Sequence, residues 1–267
     1  MVRIEKQGAV WTVIHSRFAQ ARNAMDPESA DALVAAFEEF DQDDSASVAV
    51  LWGEGGAFCA GWDLKYASTL TDSERPLTEI DYPIDPTRKR PRGPLGPTRL
   101  DLSKPVIAAV EGPAVAGGFE LALWCDMRVM AETAYFGVYC RRWGIPLLDG
   151  GTVRLPRLVG MGRAMEIILT GRKVPAVEAL AIGACERLAP HGGARAAAEA
   201  LAAEIARFPQ ACVRADRRSA YMQHGETVHD AMRQEWYNGL ECLVAEGVGG
   251  AGRFKGGLGR HGDFSSI

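Results

Sequence analysis

Few of the features that announce a reaction are present in this chain of 267 residues. Its six cysteines (Cys59, Cys125, Cys140, Cys185, Cys212 and Cys242) are scattered without a C-x-x-C pair. They supply no disulfide framework, and with no N-terminal apolar segment resembling a signal peptide, a reduced cytoplasmic setting is expected. No apolar run approaches membrane-spanning length, so no membrane partner is expected. Histidine is scarce: His15, His191, His224, His229 and His261 share no ligand spacing, and no metal is expected. Neither a G-x-G-x-x-G run nor a Walker pattern supports a dinucleotide or nucleoside triphosphate loop, and no G-x-S-x-G elbow points to a serine hydrolase. A formal net charge of −4 argues against nonspecific nucleic-acid binding while leaving room for a local basic patch.

What is present is enough apolar sequence, 47% of the residues, to build one large α/β domain without cross-links. Val10 to His15 and Val48 to Gly53 read as strands, and between them Asp26-Pro27 opens a helix with an N-cap and a proline at its first position. Ala30, Leu33, Val34, Phe37 and Phe40 then fall on one helical face. Strand 105–110, helix 118–124, strand 126–130 and helix 161–170 continue the alternation, which predicts repeated β-to-α units around a mostly parallel sheet. Thr69 to Arg99, with Pro76, Pro83, Pro86, Pro91, Pro94 and Pro97, reads as a long irregular loop over the domain. After about Pro190 three helices are expected, over Ala194–Phe208, Gln210–Gln223 and Thr227–Glu246, and glycine-rich Gly247 to Gly262 reads as a loose tail unless a neighbouring subunit or ligand orders it. The chain thus divides into a core over 1–190 and a helical region over 191–267.

Two segments carry chemistry. In the first, the buried run Val106 to Val110 leads through Gly117-Gly118 into a helix with one carboxylate, Glu120. The glycines leave N–H groups unobstructed at a helix start, where unpaired amides attract negative charge, and Glu120 lies above Gly117 on the first turn. An oxyanion at the Gly117 amide would sit beside a group able to move a proton. Burial would raise the Glu120 pKa while the helix start would lower it. The alternative is a surface charge that only complements the helix dipole. The second segment, Gly55-Gly-Ala-Phe58-Cys-Ala60-Gly61-Trp62-Asp63-Leu64-Lys65, follows a strand; its glycines can present amides, the Trp62 N–H among them, and Asp63 can cap a short helix. Alone it is an ordinary loop.

Together the Phe58-x-Ala60-Gly61-x-Asp63 loop and Lys104-Pro-x-Ile-Ala-Ala-Val-x-Gly…Gly117-Gly118-x-Glu120-Leu-Ala resemble the crotonase, or enoyl-CoA hydratase/isomerase, superfamily. The likeness extends through Ala21-Arg22-Asn23-Ala24-Met25, Cys125-Asp126, Ala134-x-Phe136-Gly137, Gly150-Gly151-Thr152-x-Arg154-Leu155-Pro156 and Ala164-Met165-x-x-x-Leu169-Thr170-Gly171. It implies an α/β, crotonase-like ββα spiral with a helical C-terminal region that serves oligomerisation, a homotrimer or hexamer, and an acyl-CoA thioester as substrate, with no cofactor beyond the coenzyme A of that substrate. Carried over by motif, the Trp62 and Gly117 amides form the oxyanion hole and Glu120 is the acid/base. Arg22, Ala60, Asp63, Leu64 and Lys65 would line the coenzyme A path.

The resemblance breaks at one place. Hydratases of the family carry a second glutamate in a Phe-Gly-x-Pro-Glu pattern, whereas this chain reads Phe136-Gly137-Val138-Tyr139-Cys140. Cys140 therefore occupies the second acid's position, as a packed thiol or, less simply, a nucleophile. Asp149, just ahead of two glycines, could replace the missing acid or merely cap the next helix. Enoyl-CoA hydration leads, with a double-bond isomerase or a noncatalytic acyl-CoA-binding protein as the alternatives.

Overall fold

The computed structural model describes residues 2–70, 77–85 and 87–264. Pro76 and Pro86 of the expected loop lie outside them. Strands β1 (Val2–Gln7), β2 (Val10–His15), β3 (Val48–Gly53), β4 (Val106–Val110), β6 (Met127–Ala131) and β9 (Arg187–Ala189) form one sheet in the order β1-β2-β3-β4-β6-β9. The β1–β2 hairpin is antiparallel and every later pair is parallel. A smaller sheet, β5-β7-β8, joins Pro113–Val115, Tyr135–Gly137 and Lys173–Pro175. The β4–β5 and β6–β7 units each send one strand to each sheet before the next helix, in keeping with the ββα spiral expected.

Parallel strands must be covered on both faces, and β4 shows how its sequence does this. Ala108 and Val110 join the cluster that holds Leu33, Phe37 and Phe40 of helix α2 (Pro27–Gln42), while Ile107 and Ala109 join Ala198, Leu201 and Ala202 of helix α8 (Ala194–Ala206). The short α1 (Phe18–Ala21) precedes α2, whose start is fixed as expected: Asp26 accepts from Ser29 N–H at 2.9 Å and Pro27 stands at the first helical position. Ala36 takes the fully buried place expected of Val34, which is half-buried.

Helices α3 (Leu64–Ala67), α4 (Gly117–Trp124), α5 (Gly151–Val159), α6 (Met161–Thr170) and α7 (Ala176–Ala181) follow their strands. The 69–99 stretch holds only short 3-10 turns at Thr78–Ile80 and Pro97–Arg99 among its described residues. At the C-terminal end α9 (Gln210–Met222) and α10 (Val228–Cys242) match expectation, but the glycine-rich tail does not stay loose. A π-helical turn, Leu243–Gly247, carries α10 directly into α11 (Val248–Lys255). Each glycine costs a helix only about 1 kcal/mol, no proline intervenes, and the segment is tethered. Glu246 accepts from the N–H groups of Ala211 and Cys212 at the start of α9, and Phe264 packs edge-on against Phe208. No helix among the described residues is long and apolar enough to cross a membrane.

Candidate active site

The turn from β5 into α4 is built from a residue that ordinarily avoids such a conformation. Ala116 has φ +54 and ψ −126, a backbone state that costs about 1–3 kcal/mol and persists where its surroundings enforce it. Here its N–H donates to the Gly137 carbonyl at 2.8 Å, and Val115 N–H donates to Cys59 O at 3.0 Å. The two following glycines are required by space: a Cβ on Gly117 would overlap the Leu95 side chain, and one on Gly118 would overlap the Cys59 carbonyl.

The second loop arrives at the same point. Gly61, at φ +90, leaves so little room that a Cβ there would lie 3.1 Å from the Gly117 nitrogen and 2.9 Å from Ala116 Cβ. Met25 N–H donates to Gly61 O at 2.7 Å and Asp63 N–H to Met25 O at 2.8 Å, so the residue between them, Trp62, keeps its own N–H out of the pairing. Among the described residues neither Trp62 N–H nor Gly117 N–H has a protein acceptor. Buried main-chain N–H groups are nearly always paired, so two left open at one cavity form a receptor for an oxygen.

Glu120 stands beside them, 2% exposed. Its Oε1 accepts from the N–H groups of Asp149 at 2.9 Å and Gly151 at 2.8 Å. The raising effect expected of burial prevails. Desolvation first, then the charge of Asp149, push the Glu120 pKa up to about 7, against the lowering effect of the N–H groups of Gly151, Asp149 and Leu148. A carboxyl of this kind can both accept and return a proton near neutrality.

Around these groups lies a cavity of about 320 Å³. Arg22, Ala60, Trp62, Leu64, Gly117, Glu120, Cys140 and Asp149 line it, which brings together eight of the ten site residues expected from sequence. The other two stand outside. Asp63 is buried under α3, where it caps Lys65 N–H at 2.9 Å and pairs with Arg17 at 2.8 Å, and Arg17 also pairs with Asp26 at 2.9 Å. Lys65 is exposed on the same helix.

Cys140 lies in the 3-10 turn Tyr139–Trp143. Burial, then the charge of Glu120, raise its pKa, so it meets the cavity as a neutral thiol. Asp149 does not cap α5, whose N-cap is Gly150. Its Oδ1 instead accepts from Leu95 N–H at 3.0 Å and from the Thr98 hydroxyl, and burial raises its pKa against those two bonds. Leu95, Tyr135, Tyr139, Trp143 and Ile145 also line the cavity without having been expected there.

Comparison with known proteins places the chain in a family. The sequence model of the enoyl-CoA hydratase/isomerase family matches residues 5–237. Enoyl-CoA hydratase EchA19 of Mycobacterium tuberculosis is 36% identical over 250 residues, 91% of this chain and 88% of that protein. Carnitinyl-CoA dehydratase of Salmonella typhimurium is 38% identical over 185 residues, 68% of this chain and 66% of that protein. The crystal structure of enoyl-CoA hydratase EchA1 from Mycobacterium marinum superposes with a TM-score of 0.84 at 32% identity, covering 95% of each chain.

Proposed function

Because the chain belongs to the enoyl-CoA hydratase/isomerase family, we propose that it hydrates a 2-enoyl-CoA thioester, or runs the reverse dehydration, with one carboxyl serving as both acid and base. The observation that carries the reading is the pair of unpaired N–H groups, Trp62 and Gly117, next to a buried carboxyl whose pKa is near 7. The thioester carbonyl oxygen accepts from both amides, which draws electron density out of the conjugated double bond. Water attacks C3 as the Glu120 carboxylate takes one of its protons, and the electron pair moves to the thioester oxygen as an enolate. Glu120 then returns that proton to C2, so that one water has been added and the base is restored. Each amide donor is worth about 2.7–4 kcal/mol to such an anion. Oε1 of Glu120 is fixed by two main-chain donors, which leaves Oε2 for the transfer.

Cys140 favours a second reading. With a neutral thiol where a second acid would orient the water, Glu120 alone can take a proton from C2 of a 3-enoyl-CoA, leaving a dienolate on the thioester oxygen, and return it to C4, which is double-bond isomerisation. Incubating the purified protein with crotonyl-CoA and a panel of longer, branched and 3-enoyl-CoA esters, followed by mass spectrometry, distinguishes the outcomes. A product heavier by one water supports hydration, a product of unchanged mass but new double-bond position supports isomerisation, and binding without turnover throughout would leave a noncatalytic acyl-CoA-binding protein.

We also propose a homotrimer or hexamer in the cytoplasm. The reading is supported by the apolar stripe on α10, where Val228, Met232, Trp236 and Leu240 recur every four residues and face solvent, Trp236 at 61% exposure. Stripes of this size are uncommon on monomers.

A further inference from the structure

Gly117 and Glu120 are neighbours on α4, yet different parts of the chain hold them, and Asp149 is where the two supports meet. Its main-chain N–H donates to Glu120 Oε1 at 2.9 Å. Its carboxylate accepts from Leu95 N–H and the Thr98 hydroxyl, and Leu95 fills the space over Gly117. Oδ1 is directed into that turn, since a Cβ on Gly93 would collide with both Oδ1 and the Thr98 oxygen. An asparagine would make the same two bonds with no charge to bury. Asp149 is 3% exposed, and among the described residues its carboxylate forms no ion pair; burial favours its neutral form, while the bonds from Thr98 and Leu95 and the charges of Arg99 and Arg154 favour the charged one. That carboxylate faces Arg99, Arg154, whose guanidinium donates to the Asp149 main-chain carbonyl at 2.8 Å, the Cys59 thiol, and Glu120; Glu120 in turn faces Arg154 and Cys140.

We propose that Asp149 is a positioning residue that keeps the anion donor and the proton-transfer group in register: its carboxylate anchors the 93–98 turn that seals Gly117, its main-chain N–H aims Glu120, and its charge acts on Glu120 through the cavity wall. The inference rests on the reading of Glu120 as acid/base. It differs from a role for Asp149 as the replacement second acid, because Oδ1 is held by the turn and the proposed action on the substrate runs through Glu120. With the negative charge gone, the carboxylate form of Glu120 becomes easier to reach, and its titration moves to lower pH.

Asp149→Asn keeps an oxygen for Leu95 and Thr98 and removes the charge. Thr98→Val removes a donor from the carboxylate, which favours its protonation and so acts in the same direction. In both, the midpoint of Glu120 should fall by up to about one unit, read directly by isotope-edited infrared titration of the labelled carboxyl with Glu120→Gln as the blank. The acid limb of kcat/KM should follow it. Plateau kcat of Asp149→Asn should fall modestly, well short of the about 10²–10⁴-fold loss expected when a proton-transfer group is removed. An unmoved midpoint in both variants would leave Asp149 a purely structural residue, and a loss of that larger size would make it a proton-transfer group; either overturns the proposal. The infrared titration needs no turnover, so absence of activity toward every acyl-CoA would count against the proposed reaction and not against the link between the two carboxyls.

Discussion

Replacing Gly117 by alanine sets the smallest side chain against the most crowded point of the cavity. The new methyl would overlap Leu95, which is 1% exposed and held by its N–H to Asp149. Leu95 is buried, so any movement of its side chain disturbs its neighbours and part of the strain falls on the main chain at residue 117. Overpacking of one methyl costs about 1–3 kcal/mol, and in a chain of this size each kcal/mol lowers Tm by about 2–4 °C. The effect on turnover should be larger. A shift of the Gly117 N–H away from the thioester oxygen removes about 2.7–4 kcal/mol of transition-state stabilisation, or about 10²–10³ in kcat. The assay is steady-state kinetics on whichever acyl-CoA the panel identifies, alongside calorimetric Tm. Leu95→Ala in the same chain makes room for the methyl, so the double variant should recover part of the lost kcat while remaining less stable than the parent, a coupling expected only of residues in contact. Gly117→Ala with kcat within several-fold of the parent, and Tm lowered as expected, would refute the assignment of its N–H to the oxyanion.

Two further outcomes test the electrostatics and the surface. Glu120→Gln should lower kcat by about 10²–10⁴-fold and yet stabilise the protein at alkaline pH. The carboxyl titrates from its ordinary 4.5 when unfolded to about 7 when folded, so the folded form binds more protons between those values and stability falls as pH rises through them; the gain in Tm from the substitution should be larger at pH 8 than at pH 5. Trp236→Lys, on the exposed stripe of α10, should reduce the sedimenting mass in analytical ultracentrifugation, and an unchanged monomeric mass for both proteins would dismiss the oligomer.

Much of the frame was legible because its causes are local. The β-branched runs Val10 to His15 and Val48 to Gly53 could only be buried strands, and Asp26-Pro27 could hardly be anything but a helix start. The glycines at 117 and 118 likewise announced a close approach, though not by what. The closing contacts came from far along the chain: Leu95 and Thr98 meet Asp149 across 54 and 51 residues, a separation that no periodicity encodes. The balance of burial against helix dipole at Glu120 also needed the surrounding volume to be known. So did the tail, where glycine composition suggested disorder and two distant tethers, Glu246 and Phe264, favoured a helix.

The methyl group of Ala116 has a consequence for how the chain can be altered. Glycine would suit the backbone at φ +54 better, and by that measure the chain keeps a less comfortable residue. But the methyl is also the spacer against which Gly61 rests, and Gly61 abuts the Gly117 nitrogen. It therefore acts as a gauge block between two loops, setting the gap across which an oxygen must be gripped. A glycine there would relax the turn and leave the gap to be found anew at each encounter, exchanging a fixed aperture for an adjustable one.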